Sequence, residues 1–457
     1  VRLLHLSWEY PPYSVGGLAR HVEDLTQALV QENQEVHVLT IGQAGEEQLH
    51  SRRQKGVFVH RVEAYPIHTP DFLTWVLQLN IRFLEEAMRL FSTAGPFHLI
   101  HAHDWLVAFA GRALKHAYRI PLVATIHATE AGRNRGIHND LQRYIHSVEW
   151  WLTYEAWKVI VCSQHMREEV QGLFQVPPDK ITVIPNGVVV SKFSSVQVDP
   201  GLRQRYALPY EKIIFFVGRL VVEKGVQVLL EAMPKVLEAC PEAKLVVAGQ
   251  GPMEGELKGR AWELGIAHKV AFTGYIDDRT RNQLYRVADV AVFPSLYEPF
   301  GIVALEAMAS GVPVVVSETG GLKEIVTHQV NGLRAFPGNP NSLADNIIAI
   351  LRDKALASAL RKAASRLVKE VYDWRQIARR TLELYHSVYE EYRRTPWSER
   401  SSVIHRFRRY ASALVGYNEG KASFKETPEG DLMGGRYDLV GYRAALVNQK
   451  RGREGLI

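Results

Sequence analysis

Arg219 and Lys224 stand five residues apart in the phrase Gly218-Arg219-Leu220…Glu223-Lys224-Gly225, directly after the apolar run Phe215-Phe216-Val217. A buried strand would deliver Arg219 to its carboxyl end, with Lys224 opening the next helix. Two cations so placed suit a diphosphate whose charge grows as a bond breaks; a solvated loop holding a local ion pair with Glu223 is the plainer reading. Glu298 and Glu306 form a second candidate pair, in Glu298-Pro299-Phe300-Gly301 and the helical run that follows. The stretch from Gly301 to Met308 is apolar except at Glu306, and a carboxylate inside an apolar run needs a partner. One carboxylate could accept sugar hydroxyls and the other a ribose diol; surface charge is the alternative.

On the other half of the chain, Val15-Gly16-Gly17-Leu18 follows a strand and a proline-containing loop and opens a helix. Paired glycines at a helix start let backbone N–H groups approach an anion, or simply make a tight turn. The phrase is neither a Walker loop nor GxGxxG. His101, His103 and Asp104 close one strand and His127 closes another. His-x-His-Asp has the look of a metal site, but no Cys or further acidic ligand follows at a suitable spacing, and no metal is expected. His127, ahead of the polar loop Thr129–Asn139, reads as a hydrogen-bonding group at a cleft or as a satisfied core histidine.

These residues need strands to carry them. Short branched apolar runs alternate with helical patterns: Arg2–Ser7, Val36–Thr40, Val57–Arg61, Leu99–His103, Leu122–Ile126, Lys158–Ser163 and Ile181–Ile184, with helices such as Leu18–Gln31, Phe72–Phe91 and Trp105–Tyr118 between them. The pattern restarts with strands at Ile213–Val217, Lys244–Ala248, Val270–Phe272, Val290–Phe293 and Val314–Val316, separated by helices. Continuous apolar strands alternating with helices read as parallel sheets buried on both faces. Asn186–Gly201 lacks periodicity and reads as the linker. Two doubly wound α/β domains then face each other, with ligands in the cleft between their carboxyl-end loops.

The bulk properties agree. The 457 residues are 46% apolar and 23% charged, which excludes a disordered chain and allows two or three domains. Net charge is 55 − 49 = +6. Residues 396–457 hold 11 basic and 7 acidic residues and so carry +4 of it. That leaves the body near neutral and argues against nucleic acid as a partner. Cys162 and Cys240 fit neither a disulfide framework nor a zinc spacing and read as buried thiols. The apolar start breaks at Trp8-Glu9, too early for a signal peptide, and no run is long enough to cross a bilayer. A cytoplasmic protein without a transmembrane segment is expected. Nothing in the sequence sets an oligomeric state.

Taken together, the phrases resemble the retaining family-4 glycosyltransferases of GT-B architecture. The match runs in order through Gly16-Gly17, His103-Asp104-Trp105, Ile184-Pro185-Asn186-Gly187-Val188, Gly218-Arg219-Leu220…Glu223-Lys224-Gly225, Ala248-Gly249-Gln250-Gly251-Pro252, Glu298-Pro299-Phe300-Gly301…Glu306 and Gly311-Val312-Pro313-Val314-Val315. The resemblance implies an acceptor-binding Rossmann-like domain over residues 1–190 and a nucleotide-sugar-binding one over 191–372. It further implies a helix over 373–395 crossing back to the first domain, and leaves 396–457 as a basic tail without a role. By the same resemblance Arg219 and Lys224 hold the diphosphate, Glu306 the ribose and Glu298 the sugar hydroxyls. Phe300 and Gly301 line the donor site, Gly274 and Ile276 contact the base, and Thr319 and Gly320 reach phosphate or sugar. Gly16 and Gly17 lie against the reacting centre, and His127 meets the donor sugar. The implied reaction is metal-independent transfer of glucose from a UDP- or ADP-linked donor, with no resident cofactor.

Two acceptors remain open. Arg133, Arg135 and Arg143, with Arg20 and Lys115 also basic and His103 and Asp104 nearby, suit a sugar phosphate such as fructose 6-phosphate, as in sucrose-phosphate synthases; this reading leads. Trp8, Trp105, Trp150 and Trp151 could instead stack on an α-glucan, as in glycogen-synthase-like members. Rivals of other classes are a GT-B epimerase acting on a UDP-sugar and a catalytically silent sugar-binding protein.

Overall fold

The computed structural model describes residues 1–14, 16–42 and 52–398. Both Leu-Val-Gly-Tyr phrases, at 414–417 and 439–442, and nearly all of the basic tail lie outside the described residues.

The first sheet is built from β1 (Arg2–Leu6), β2 (Glu35–Ile41), β3 (Arg52–Gln54), β4 (Val57–Val62), β5 (Leu99–His103), β6 (Leu122–Ile126), β7 (Lys158–Val161) and β8 (Ile181–Val183). Their spatial order is β3-β4-β2-β1-β5-β6-β7-β8, and only the edge strand β3 runs antiparallel. The second sheet contains β9 (Lys212–Val217), β10 (Ala243–Ala248), β11 (Val270–Gly274), β12 (Val290–Phe293), β13 (Val314–Ser317) and β14 (Leu333–Ala335), all parallel in the order β11-β10-β9-β12-β13-β14. Core strands such as β5, β6 and β12 are buried along their whole length, which is why their sequences show runs rather than alternation. Strand order reverses between β1 and β5 in one sheet and between β9 and β12 in the other. The loops leaving those strands carry Glu9 to Gly17, Asp104, Arg219 and Glu298, and a crevice at such a switch point is where open α/β sheets take ligands.

Several local expectations need correction. β3 and β14 have three residues each, too few to display a period. The loop expected at Thr129–Asn139 contains the helix Glu130–Asn134, capped by Thr129 Oγ1 accepting from the Gly132 N–H. The expected linker includes a short helix, Ser191–Ser194. The polar helical stretch after Asn341 is two helices, Pro340–Arg352 and Lys354–Val371, parted by Asp353, whose carboxylate caps the second. Asp277 caps the helix Asp278–Val287, accepting from the Thr280 N–H at 2.7 Å. Both cysteines are buried and free.

The long amphipathic helix Trp374–Arg393 lies on the N-terminal half. Trp374, Ile377, Ala378, Leu382, Tyr385 and Val388 join Leu3, Val22, Leu25 and Leu29 in one core cluster. Where the chain passes between halves, the Val188 N–H donates to the Tyr372 carbonyl at 2.8 Å, so both crossings run side by side. Gly187 is required there, because a Cβ would sit 2.8 Å from Trp374 Cδ2.

Replacing Trp374 by Ala empties that junction and should cost about 3–5 kcal/mol of stability, read as a lowered midpoint in chemical unfolding. An unchanged midpoint would mean the returning helix is not held by this side chain.

Candidate active site

The carboxyl ends of β9 and β12 bring the two sequence-distant acid and base phrases into contact. Lys224, at the end of a 3-10 turn, donates from Nζ to Glu298 Oε2 at 2.7 Å, and Ser295 Oγ donates to the same oxygen at 3.2 Å. Glu223, the local partner open to these cations in the plainer reading, does pair with Arg219, at 3.5 Å, while Lys224 turns to Glu298. Two glycines make this packing possible. Gly225, at φ +71, has the Pro294 carbonyl 1.9 Å from where a Cβ would lie, and Gly320, at φ +47, has the Glu298 carbonyl at the same distance. Only glycine fits either place. Thr319 is half-buried beside them, with Oγ1 3.4 Å from the Leu296 carbonyl.

Glu306 is 3% exposed and is answered from the opposite half of the molecule. Arg20, on the helix Gly17–Gln31, donates from Nη1 to Glu306 Oε1 at 2.6 Å and from Nη2 to Asp278 at 2.9 Å. Arg281 Nε and Tyr285 Oη stand 3.5 Å from the other Glu306 oxygen. Burial opposes the Arg20 charge, but Glu306 and Asp278 outweigh it and raise the guanidinium pKa. Arg20 is therefore committed across the cleft to Glu306 and Asp278 of the other half. The demand of Glu306 for a partner was legible; the identity of the partner, 286 residues away, was not.

Other contacts close the same seam. Ser163 Oγ donates to the Pro299 carbonyl at 2.7 Å, the Gln164 and His165 N–H groups donate to Glu324, and Tyr297 Oη donates to Glu169 at 3.0 Å. Gly16 adopts extended backbone that any residue could take, and its N–H donates to Glu9 Oε2 at 3.1 Å. A Cβ there would meet nothing within 4 Å, whereas one on Gly17 would touch Ile302 at 3.4 Å. Space, rather than backbone freedom, distinguishes this loop. Phe300 is buried, Gly301 at φ +108 opens the helix Ile302–Ser310, and Gly274, at φ +69, ends β11 with Ile276 half-buried after it.

On the N-terminal side, the His127 N–H donates to Asp104 Oδ1 at 2.7 Å, and His127 Nε2 lies 3.2 Å from His103 Nδ1. Burial pushes the Asp104 carboxyl up to about 6 against the opposing pull of Arg133 and the His127 N–H. Burial, with help from Arg133, pushes the His127 imidazole down to about 3. His103 is fully buried behind His127 and bonded to His5 on its far side, so it cannot itself touch an acceptor. Arg133 and Arg135 are exposed on and after the short helix Glu130–Asn134, Arg135 in its left-handed cap. Arg143 stands apart, 70% exposed and paired with Asp140. Lys115 is tied to Glu155. Trp8 and Trp105 are core residues, while Trp150 is 46% exposed on the flank with Trp151 beside it.

Comparison with known proteins decides the family. A family model described as glycosyltransferase family 4 matches residues 15–192, and one described as glycosyl transferases group 1 matches residues 202–367. An uncharacterized glycosyltransferase of Methanocaldococcus jannaschii is 42% identical over 391 residues, 84% of this chain and 98% of the relative. The chain belongs to the family-4 glycosyltransferases. A glycogen synthase of Mycobacterium tuberculosis is 36% identical over 84% of this chain and 94% of its own length. Among solved structures, sucrose-phosphate synthase from Thermosynechococcus elongatus superposes with a TM-score of 0.74 at 27% identity, covering 85% of this chain and 99% of that one. The two facing parallel-sheet domains of this glycosyltransferase are the GT-B architecture, and the chain is a transferase. No helix among the described residues is long and apolar enough to cross a membrane.

Sequence reasoning missed Glu149, which the fold buries against the start of the short helix Glu130–Asn134. Its Oε1 accepts the Glu130 N–H at 2.9 Å, its Oε2 has no partner, and burial pushes its carboxyl up to about 9. An acid whose folded pKa is raised binds more protons when folded, so its stability contribution falls as pH climbs from about 4.3. Glu149→Gln removes this ionisation. Between pH 5 and 9 the variant's stability should therefore gain steadily on the parent in parallel denaturant titrations; a pH-independent difference would refute a neutral Glu149.

Proposed function

We propose that this glycosyltransferase moves a glucosyl unit from UDP- or ADP-glucose to a sugar acceptor with retention of anomeric configuration, as a cytoplasmic enzyme. The observation that carries the reading is the contact of Lys224 with Glu298 at the switch point between β9 and β12, beside Arg219. An ammonium offers three donors, so Lys224 can keep Glu298 and still take a phosphate oxygen. Arg219 and Lys224 then neutralise the departing diphosphate, and Glu298 takes donor hydroxyls. Gly274, Ile276, Thr319 and Gly320 line the nucleotide side, with Gly16 and Gly17 facing from the other domain.

The acceptor hydroxyl attacks C1 from the face that the diphosphate leaves. The C1–O bond to phosphate breaks as the new C1–O bond forms, and the acceptor proton passes to a phosphate oxygen. No protein carboxylate acts as nucleophile and no metal is needed at the diphosphate. Positioning and cationic stabilisation supply the rate. His127, neutral in this setting, hydrogen-bonds the donor sugar. Glu306 takes the ribose only if Arg20 shares or yields it, so donor binding and the cross-cleft contact are coupled.

For the acceptor, the leading reading is a sugar phosphate held by Arg133 and Arg135. Arg133 supports it, because its charge acts on both Asp104 and His127. Elongation of an α-glucan is the second reading, favoured by the likeness to a glycogen synthase and by exposed Trp150.

Lys224→Ala should reduce transfer by about 10²-fold or more with circular dichroism unchanged; full activity would sink the assignment. A screen of UDP- and ADP-glucose against fructose 6-phosphate, glucose 1-phosphate and maltooligosaccharides should show one hexose added to a sugar phosphate. That activity should weaken in Arg133→Ala through KM. Extension of maltooligosaccharides alone would select the glucan reading, and donor epimerisation without acceptor would overturn both.

A further inference from the structure

Five imidazoles gather behind the cleft wall: His5 on β1, His101 and His103 on β5, His21 on the helix Gly17–Gln31, and His127 after β6. Four of the five are buried and His127 is half-buried. Their hydrogen bonding is uneven. His101 is satisfied at both nitrogens, by Tyr385 Oη at 2.5 Å and Thr125 Oγ1 at 2.7 Å. His103 bonds to His5 at 3.1 Å through Nε2 and to His127 at 3.2 Å through Nδ1. His21 is different. Its Nδ1 lies 2.6 Å from Asn186 Oδ1, and a carbonyl oxygen can only accept, so Nδ1 carries the proton. Nε2 is left as a bare lone pair, buried and without a hydrogen-bond partner.

An imidazole whose proton is fixed by an amide or carboxylate oxygen, with the opposite nitrogen bare, is the form in which histidine binds transition metals. One nitrogen each from His21, His103 and His127 lie within 4.8 Å of one another. Movements below about 1 Å bring three such nitrogens to a common centre at Zn–N distances of about 2.0–2.1 Å. We propose that His21, His103 and His127 form a three-imidazole site for a single divalent transition cation of the Zn²⁺ class, with its fourth position open toward the cleft on the side of His127.

The protons balance without any being lost. For ligation the proton shared in the His103–His127 hydrogen bond moves to the far nitrogen of its own ring, so that His103 carries its proton on Nε2 and donates it to His5 Nδ1 while His127 carries its own on Nδ1, leaving His103 Nδ1 and His127 Nε2 free to ligate. His5 then holds its proton on Nε2. A second group, His5, His101 and His103, is equally close, but both nitrogens of His101 are already engaged and His103 can serve only one ion. An all-nitrogen set disfavours Mg²⁺ and Ca²⁺, which take oxygen ligands. With three neutral ligands the cation keeps its full double charge, and its fourth position favours an anion. The expectation of no metal rested on strand spacing and on the lack of a following Cys or acidic ligand, and it left out His21, which arrives from the helix Gly17–Gln31. The site stands whether or not His127 touches the donor sugar.

The test uses the full chain, stripped with a chelator, dialysed and titrated with Zn²⁺ against a chromophoric chelator, with Mg²⁺ as control and no substrate present. One equivalent of Zn²⁺ should bind at micromolar or lower concentration and Mg²⁺ should not; Co²⁺ in its place should give the intense visible bands of four-coordinate geometry. His21→Ala should abolish stoichiometric binding, and Asn186→Ser, which leaves all three histidines, should weaken it about 10–100-fold, both with near-ultraviolet dichroism preserved. His101→Gln should still bind. Failure of the parent chain to bind one equivalent overturns the proposal directly, without recourse to variants. Dependence on His101 rather than His21 also overturns it. His127→Ala that loses Zn²⁺ but transfers glucose normally would remove His127 from the donor site and leave the metal site intact.

Discussion

The carboxylate of Glu306 sits inside an apolar helix and cannot be left alone there, and the charge that answers it comes from the other domain. A buried ion pair contributes little net stability, because desolvating both charges cancels most of their attraction, but losing one partner strands the other at a cost of about 3–5 kcal/mol. The Arg20–Glu306 contact is therefore a constraint more than a source of stability. It requires the Gly17–Gln31 helix to present Arg20 at the mouth of the cleft, and it requires Asp278, Arg281 and Tyr285 to share the neutralisation. Around it, Ser163, Glu169 and Glu324 stitch the same seam with uncharged or partly exposed groups that can part at low cost. The closed arrangement thus has one demanding contact and several cheap ones.

That asymmetry bears on how a nucleotide enters. Under the proposed function, a ribose diol, which offers hydroxyls and no charge, would share Glu306 with Arg281 while Arg20 falls back on Asp278. Lys224 and Glu298 pose the same question within one domain, since each is neutralised by the other. Both halves of the candidate site are internally compensated before ligand binds, which keeps near-neutral a cleft that would otherwise hold unpaired buried charge.

The parallel strands, the two-domain division and the returning helix were legible because each is written locally, as an apolar run or an amphipathic period. The residues of the proposed donor site stand in compact phrases, Gly218–Gly225 and Glu298–Glu306, which the fold brings to neighbouring strand ends. The proposed acceptor side was less legible. Arg143 shares a polar stretch with Arg133 but points elsewhere, since a helix begins at Asp140 and turns it outward. In sequence His103 groups with the acceptor cations as a strand-end residue, yet the fold stacks His127 against it and buries it fully. Trp8 and Trp105 carry the same side chain as Trp150 but differ in burial, and composition is blind to that. Arg20 with Glu306, and His21 with His103, are pairings made by topology across hundreds or tens of residues, where no local pattern points.

The side-by-side crossings at Val188 and Tyr372 have a mechanical consequence. Two strands of chain passing through one point make a single pivot, so relative motion of the halves reduces to swinging about an axis near Gly187 and Trp374. Because the helix after that pivot returns to the first sheet and continues to Pro396–Ser398 beside His116 and Trp157, Val1 and Ser398 ride on the same rigid half. A pair of reporters on those two positions would be blind to the opening of the enzyme, whereas moving one of them to Lys258 would turn the pair into a gauge of it.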